Sequence, residues 1–349
     1  MAWQQPVGRP VTLEMMPMSV IDTDDFSAQL RDRSVRVEGK QILISRIAGT
    51  EQAADLTEQP NCGGYGRIRH FRHTTPDRWP SNPLPIEPAS YRLGITPQQI
   101  MTAQVFQNAA CNWRCWYCFV PFSLLSANEE RSAWLTADEM VALYLAESDR
   151  PLIIDCSGGQ PDLVPEWVPW MMASLERAGV AGQTYLWSDD NLSNDYFWRY
   201  LSQDQINLIQ SYHNYGRVCC FKGYDAESFA FNTKADPALF RRQFELFERL
   251  MGADIDLYAY ATFTTPNARG LEQGMTKFVD DLMALHPNLP LRLVPLRIEN
   301  YGVVQHRTGP AHDYALEAQE EAIMVWNRLV DERFTLDQRQ VAMPLVAIR

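Results

Sequence analysis

The chain has 349 residues, enough for one large domain with an extension or for two domains. Hydrophobic residues make up 46% of it and charged residues 21%, which argues against a disordered or fibrous protein. The formal net charge of −12 would repel the phosphates of nucleic acid, and no apolar run is long enough to cross a bilayer. The first residues, MAWQQPVGRPVTLEMM, lack the basic start and apolar core of a secretory signal, so we expect a cytoplasmic protein.

The first hundred residues show no regular alternation of strands and helices. The segment VRVEGKQILISRI predicts one or two strands. Six prolines between residues 76 and 97 predict an extended, turn-rich segment rather than a helix. We therefore predict that residues 1–100 form an irregular, partly β extension that wraps the domain after it.

Arginine and histidine residues mix with aromatic residues in the stretch RIRHFRHTTPDRW. Such a mixture can bind nucleic acid, because cations attract phosphate and aromatic rings stack on bases. A strand with Arg67 and Arg69 facing outward and with Ile68 and His70 facing inward explains the same letters. The acidic net charge favours this second interpretation.

From about residue 101 onward, strand-like and helix-like segments alternate six times. The strand-like runs are IMTAQVFQNA, PLIIDC, QTYLW, RVCCF, DIDLYAYATF and LRLVPLRI. This order predicts an α/β protein with parallel βαβ units and right-handed crossovers. Six units are too few for a closed eightfold barrel, so we predict an incomplete (β/α)6 TIM-like barrel over residues 101–333. The tail at residues 334–349, or the N-terminal extension, is expected to close the mouth of the barrel.

Polar and glycine-rich clusters follow the predicted strands. A cysteine cluster follows the first strand, SGGQP the second, SDDN the third and KG the fourth. In parallel α/β folds, ligands bind at the carboxyl ends of the strands, and these ends share one edge of the sheet. The sequence therefore predicts a single active site at that edge.

Three of the seven cysteines crowd into the segment CNWRCWYC as Cys111, Cys115 and Cys118. Thiolates are soft ligands, and this spacing suits an iron–sulfur cluster or zinc. A structural zinc site wants four closed ligands, usually as two pairs, and no second C-x2-C is present. Three thiolates on a [4Fe–4S] cube would leave one iron free to bind a small molecule.

The other four cysteines are Cys62, Cys156, Cys219 and Cys220. They come from three distant segments, and the commonest role of a buried cysteine is that of a small apolar residue. A second cluster built from them is the less favoured alternative. An odd number of cysteines, without an export signal, also argues against a disulfide framework.

The three-cysteine motif at the end of a first strand, with Gly158-Gly159-Gln160-Pro161 after the next one, resembles the radical S-adenosylmethionine (radical SAM) superfamily over about residues 101–300. The resemblance implies that Cys111, Cys115 and Cys118 hold a [4Fe–4S] cluster and that SAM binds its free iron. It also implies reductive cleavage of SAM to a 5′-deoxyadenosyl radical, which abstracts hydrogen from a substrate. A small reductant such as flavodoxin or ferredoxin would supply the electron.

The resemblance implies further SAM contacts by position. Tyr117 matches the aromatic position that lies against the adenine. Gly158 and Gly159 match the pair whose main chain meets the methionine amino group, where a side chain would block the approach. The residue after this pair is usually Glu, and Gln160 replaces it, so we assign it no charged role. The remaining contacts are implied at the ends of the third and fourth strands: Ser188, Asp190, Asn191 and Lys222.

Lys222 also gives the chain a distant similarity to glycyl-radical activating enzymes, which carry a lysine at this strand end. Those enzymes have Asp two residues earlier, where this chain has Cys220. A glycyl-radical activase is therefore one alternative, and a non-catalytic iron–sulfur or zinc protein is another. Arg297, at the end of the sixth strand, suits either a carboxylate ligand or an internal ion pair. The sequence leaves open the substrate, the oligomeric state, and whether SAM is consumed or regenerated.

Overall fold

A computed structural model describes residues 20–349 and shows an α/β protein, as predicted. The strands are β1 (Val35–Arg36), β2 (Gln41–Ser45), β3 (Gly66–Arg72), β4 (Ile100–Phe106), β5 (Ser132–Thr136), β6 (Ile153–Cys156), β7 (Tyr185–Asp190), β8 (Tyr215–Phe221), β9 (Leu257–Thr262) and β10 (Leu293–Leu296). The helices are α1 (Thr23–Asp32), α2 (Glu51–Ala54), α3 (Ile86–Leu93), α4 (Ala137–Ala146), α5 (Trp167–Arg177), α6 (Tyr196–Tyr200), α7 (Gln203–Ser211), α8 (Ala226–Thr233), α9 (Leu239–Met251), α10 (Leu271–Leu285), α11 (Gly302–Gln305), α12 (Pro310–Arg333) and α13 (Leu336–Arg339). Each helix within this range is too short or too polar to cross a bilayer.

Seven strands form the main sheet in the order β10-β9-β8-β7-β6-β4-β3. The first six are parallel to one another, and β3 runs antiparallel to β4 at the edge. The sheet is curled and its order is linear, so it is open like part of a barrel rather than closed. Because all six parallel strands point the same way, their carboxyl ends meet at one edge.

Helices α4, α5, α7, α9, α10 and α12 cover one face of this sheet, which we call the outer face. Helix α9 shows why: Phe240, Phe244, Phe247 and Leu250 recur every three or four residues and are all buried. They pack against alternate strand residues such as Phe221 of β8. Helix α4 begins with a capping box formed by Thr136 and Glu139.

A second, antiparallel sheet has the order β1-β2-β5 and lies beside the carboxyl edge of β4. Strand β5 comes from the crossover between β4 and β6. Strand β2 is nearly all buried, and it holds the chain that leaves β4: Ser45 N donates to Gln107 O at 2.9 Å, and Ala109 N donates to Leu43 O at 2.9 Å. This contact fixes the start of the cysteine-bearing loop.

The prediction that residues 76–97 contain no helix is wrong, since α3 lies within them. Pro85 precedes the helix and Pro88 stands in its first turn. The amides of that turn have no intrahelical partner, so proline removes no hydrogen bond there. Helix α3 packs on the face of the sheet opposite the outer helices, which we call the inner face.

The expectation that the C-terminal tail closes the barrel mouth is also wrong. The Arg292 side chain lies just before β10 and donates to Val346 O at 2.7 Å and to Pro344 O at 3.0 Å. Residue 292 precedes its strand, so the tail is held at the amino-terminal edge of the sheet. The cysteine-bearing loop lies at the opposite edge.

Strand β3 is oriented opposite to the prediction. Arg69 pairs with Ala103 of β4, and both Ala103 and Phe71 belong to the apolar cluster of the inner face. Side chains alternate along a strand, so Arg67 and Arg69 point inward with Phe71. The charge is tolerated there because Arg69 Nη1 lies 3.1 Å from Asp155 Oδ2, on β6.

Candidate active site

The loop at residues 107–125, here called the cysteine loop, follows β4 and carries Cys111, Cys115 and Cys118. Cys118 N donates to Cys115 O at 3.0 Å, and Cys111 N donates to Leu125 O at 3.1 Å. The three thiols are half-buried, whereas the other four cysteines are buried. Burial raises the pKa of Cys115 to about 12, with smaller contributions from Cys111 and Cys118, while the nearby ammonium of Lys222 lowers it. The loop thus presents three neighbouring soft donors beside a cation.

Hydrogen bonds on both sides fix the cysteine loop. Trp113 Nε1 donates to Thr23 Oγ1 of α1 at 3.1 Å. From the other side, the guanidinium of Arg307 donates to Cys118 O at 2.7 Å and to Val120 O at 3.0 Å. Satisfied backbone carbonyls and buried indoles hold the loop in one shape.

A single buried amide joins the loop to the ends of β8 and β9. Asn232 Oδ1 accepts from Trp116 Nε1 at 2.9 Å and from Thr264 Oγ1 at 2.7 Å. Asn232 Nδ2 donates to Lys222 O at 2.9 Å. The position of Lys222 relative to the cysteines is therefore set by this amide, which sequence analysis did not identify.

Lys222 and Tyr117 lie on the inner side of the carboxyl edge. Cys220 belongs to the inner-face cluster, and the alternation of β8 places Lys222 on the same side. The Tyr117 hydroxyl lies 3.4 Å from Thr262 Oγ1 at the end of β9. Burial raises the pKa of Tyr117, while Lys222 lowers it. The structure thus brings Lys222, Tyr117 and the cysteines together.

Gly158 and Gly159 follow β6 with φ angles of +75° and +93°. A Cβ on Gly159 would lie 2.5 Å from Asn108 O and 2.6 Å from Ala110 O. The next residue, Gln160, donates its amide N–H to Ala110 O at 2.8 Å. The glycine pair is therefore required for this turn to approach the backbone that leads into Cys111.

Two of the three predicted residues at the end of β7 lie on the outer face, away from the cysteine loop. Ser188 and Asp190 share the outer face with Arg217, where Ser188 Oγ lies 2.8 Å from the Tyr215 hydroxyl and Asp190 Oδ2 lies 3.5 Å from Arg217 Nη1. Asn191 turns toward the cysteine loop, and its Nδ2 donates to Asn112 Oδ1 at 3.0 Å. Only Asn191 of these three is linked to the loop. Their role toward SAM stays a prediction.

Asp189, between those residues, faces inward instead. Its Oδ2 lies 4.0 Å from Arg69 Nη1, which also contacts Asp155. Burial and repulsion by Asp155 raise the pKa of Asp189 to about 7, while Arg69 and Lys222 lower it. Burial lowers the pKa of Arg69, but the two carboxylates raise it by more. Sequence analysis missed this ionic group, although the alternation from Trp187 to Asp189 carried the signal.

The remaining four cysteines do not lie together at one site. Cys156 and Cys219 face the outer core, while Cys220 faces inward. Over residues 20–349, no three His, Cys, Asp or Glu side chains are spaced to hold a metal ion, and this includes Cys111, Cys115 and Cys118.

Arg297 takes part in ion pairs rather than facing the cysteine loop. Its Nη1 lies 3.1 Å from Glu299 Oε1, and its Nε lies 3.7 Å from Glu320 Oε1.

Comparison with known proteins adds a weak likeness. No family model and no curated protein matches the chain. Solved structures that resemble it include Streptococcus suis SuiB bound to precursor peptide SuiA, with 14% identity and a TM-score of 0.37 over 52% of this chain and 36% of that one. SuiB bound to S-adenosylmethionine gives 15% identity and a TM-score of 0.37, over 52% of this chain and 37% of that one. The chain thus spans little more than a third of the length of these structures, and a likeness of this degree says nothing about what it binds.

Proposed function

We propose that the protein is a radical SAM enzyme built on an incomplete (β/α)6 barrel, with residues 101–333 as its catalytic core. Cys111, Cys115 and Cys118 would hold a [4Fe–4S] cluster beside a SAM site. The observation that carries this proposal is that three half-buried thiols on one loop, and Lys222 joined to that loop through Asn232, lie at the carboxyl edge of a parallel sheet. Ligand sites of parallel α/β proteins lie at this edge.

The chemistry of three thiols on one loop suits such a cluster. A single metal ion with bonds of about 2.3 Å needs its sulfurs within about 4 Å of one another, whereas a cube takes each thiolate on a different iron and accepts wider spacing. When bound, the cluster with SAM supplies a 5′-deoxyadenosyl radical, which abstracts hydrogen from the substrate. The thiols must lose their protons to become ligands, so loading releases protons.

In this proposal, residues of the chain bind SAM and shield the reaction from water. The ammonium of Lys222 stands beside the cysteine loop, where it suits the carboxylate of SAM. The ring of Trp116 packs on His312 with centroids 4.8 Å apart, and that of Phe119 packs on Tyr301 at 5.3 Å. The ring of Trp116 is buried and would shield one side of the loop, which protects a reactive carbon radical from side reactions. A flavodoxin or ferredoxin is the proposed electron donor.

The test is formation of 5′-deoxyadenosine from SAM. Anaerobically reconstituted protein, reduced with dithionite, should form it, and Cys115→Ala should abolish both the iron content and the product. Cys156→Ala is the matched control, because Cys156 is buried on the outer face and should leave both unchanged within about a factor of two. Zinc in place of iron, or iron without SAM cleavage, would refute the proposal and leave a non-catalytic metal protein.

A further inference from the structure

We propose that Arg67 is the centre of an anion site on the inner face and that it binds a carboxylate or phosphate group of the substrate. That the ligand is a substrate rests on the proposed function, whereas the binding of an anion at Arg67 does not. The site lies next to the cysteine loop and uses a side chain that has no partner among residues 20–349.

The Arg67 side chain is buried without a counter-ion. The residue is 8% exposed, and its Nε has no hydrogen-bond partner. Among residues 20–349, no carboxylate oxygen lies within 4.0 Å of its guanidinium, which donates no hydrogen bond to them. A buried, unpaired charge is destabilising, so folded proteins rarely keep one without a ligand to offset it.

The neighbouring carboxylates are committed elsewhere. Asp155 and Asp189 lie 3.1 and 4.0 Å from Arg69 Nη1. Of the three cations at the inner edge among residues 20–349, Arg67, Arg69 and Lys222, it is Arg69 that contacts both carboxylates. The planar guanidinium of Arg67 suits an anion with two equivalent oxygens, since it can donate two parallel N–H bonds.

Arg67 also stands at the reacting end of the sheet. It pairs in register with Val105, the next-to-last residue of β4, and β4 leads directly into the cysteine loop. Its guanidinium lies 5.5 Å from the ring centre of Phe119, the residue after Cys118. An anion held by Arg67 would therefore fix one end of a molecule beside the three cysteines, leaving its C–H bonds toward them.

The experiment measures anion binding to the full chain without SAM or reductant. Inorganic phosphate and acetate are titrated by calorimetry at constant ionic strength, and the better ligand tells whether the group is a phosphate or a carboxylate. Arg67→Gln should lower the affinity for the better ligand at least tenfold. Arg67→Lys keeps the charge but loses the two parallel N–H donors, so its affinity should lie between those of Arg67→Gln and wild type. Arg72→Gln is the matched control, because Arg72 is exposed at the end of the same strand and should bind as wild type does.

Two results would overturn the site: Arg67→Gln binding as tightly as wild type, or wild type binding neither anion. Arg67→Lys guards against a variant that simply fails to fold. Because neither cluster nor SAM enters the measurement, its failure would leave the deoxyadenosine test untouched. Failure of that test would, in turn, leave the anion site standing without a radical reaction.

Discussion

The two faces of the main sheet bury charge in different ways. On the outer face, Arg217 is 1% exposed and donates to both oxygens of Asp162, at 2.9 and 3.0 Å, with Asp190 at 3.5 Å. On the inner face, Arg67 Nε and Asp189 Oδ1 are buried without any partner among the described residues. A charged group whose partners are all supplied by the protein holds neighbouring segments together. A buried group without such partners is free to bind a ligand.

A second buried ion pair also has all its partners. Arg31 of α1 donates to both oxygens of Glu166, at 2.5 and 3.0 Å, and to Leu163 O at 2.9 Å. It fastens α1 beside the start of α5, and α1 in turn supplies Thr23 to the cysteine loop. This ion pair therefore acts on the site by positioning the chain.

The largest contrast is expected between two arginine substitutions. Arg217→Met leaves two buried carboxylates without their cation, which should lower the free energy of unfolding by about 3–5 kcal/mol. Arg67→Gln removes a buried charge that has no partner among the described residues, so the free energy of unfolding should not fall and should rise by up to about 1 kcal/mol. Urea unfolding of both variants measures this. An equal loss of unfolding free energy in both variants would mean that Arg67 stabilises the fold, and the two faces would then not differ in how they bury charge.

This contrast also shows why sequence alone could place the elements but not the faces. A buried parallel strand such as PLIIDC or RVCCF is a continuous apolar run, and the helices between such runs are amphipathic. The α/β class, the sites of the strands and the shared carboxyl edge therefore follow from pattern. In RIRHFR both alternating sets mix charged and apolar residues, so the pattern cannot say which set faces inward.

The site residues divide in the same way. The three cysteines stand on one short loop, so their proximity is local and readable. Asp189 and Asp190 are neighbours in sequence yet face opposite sides, and only the alternation that begins at Trp187 separates them. Asn232, on α8, joins the loop to Lys222 through contacts between segments 116 residues apart along the chain. No local pattern encodes a contact of that range.

The second largest loss of stability is expected at the Gly158–Gly159 turn, which packs against the start of the cysteine loop. Gly159→Ala should lower the free energy of unfolding by about 3 kcal/mol, because it combines an unfavourable φ with a clash against two carbonyl oxygens. It should also reduce the iron bound on reconstitution, since Ala110 leads into Cys111. Gly179→Ala is the control: its φ is +71°, but no atom lies within 4 Å of the added Cβ. That variant should lose only about 1 kcal/mol and keep its iron. If the two variants behave alike, the close approach is not what requires Gly159.

The smallest effect concerns the ionic group of the inner face. The pKa of Asp189 is raised from 3.8 to about 7, so the folded state holds its proton more tightly than the unfolded state. Its contribution to stability is therefore fully present below about pH 4 and is lost as the pH rises to about 7. Asp189→Asn removes this loss, so the variant should gain stability relative to wild type between those pH values.

The measurement is the difference in free energy of unfolding between Asp189→Asn and wild type, followed from pH 4 to pH 8. Exposed Asp149→Asn serves as the control and should give a nearly flat difference. Asp155 shares Arg69 with Asp189 and repels it, so the two carboxyl groups titrate as a coupled pair, and the difference reports how removal of Asp189 changes the titration of that pair. A flat difference for Asp189→Asn would mean that its carboxylate is already solvated or paired. In either case Asp189 would not be an unpartnered buried acceptor, and the contrast with the outer face would rest on Arg67 alone.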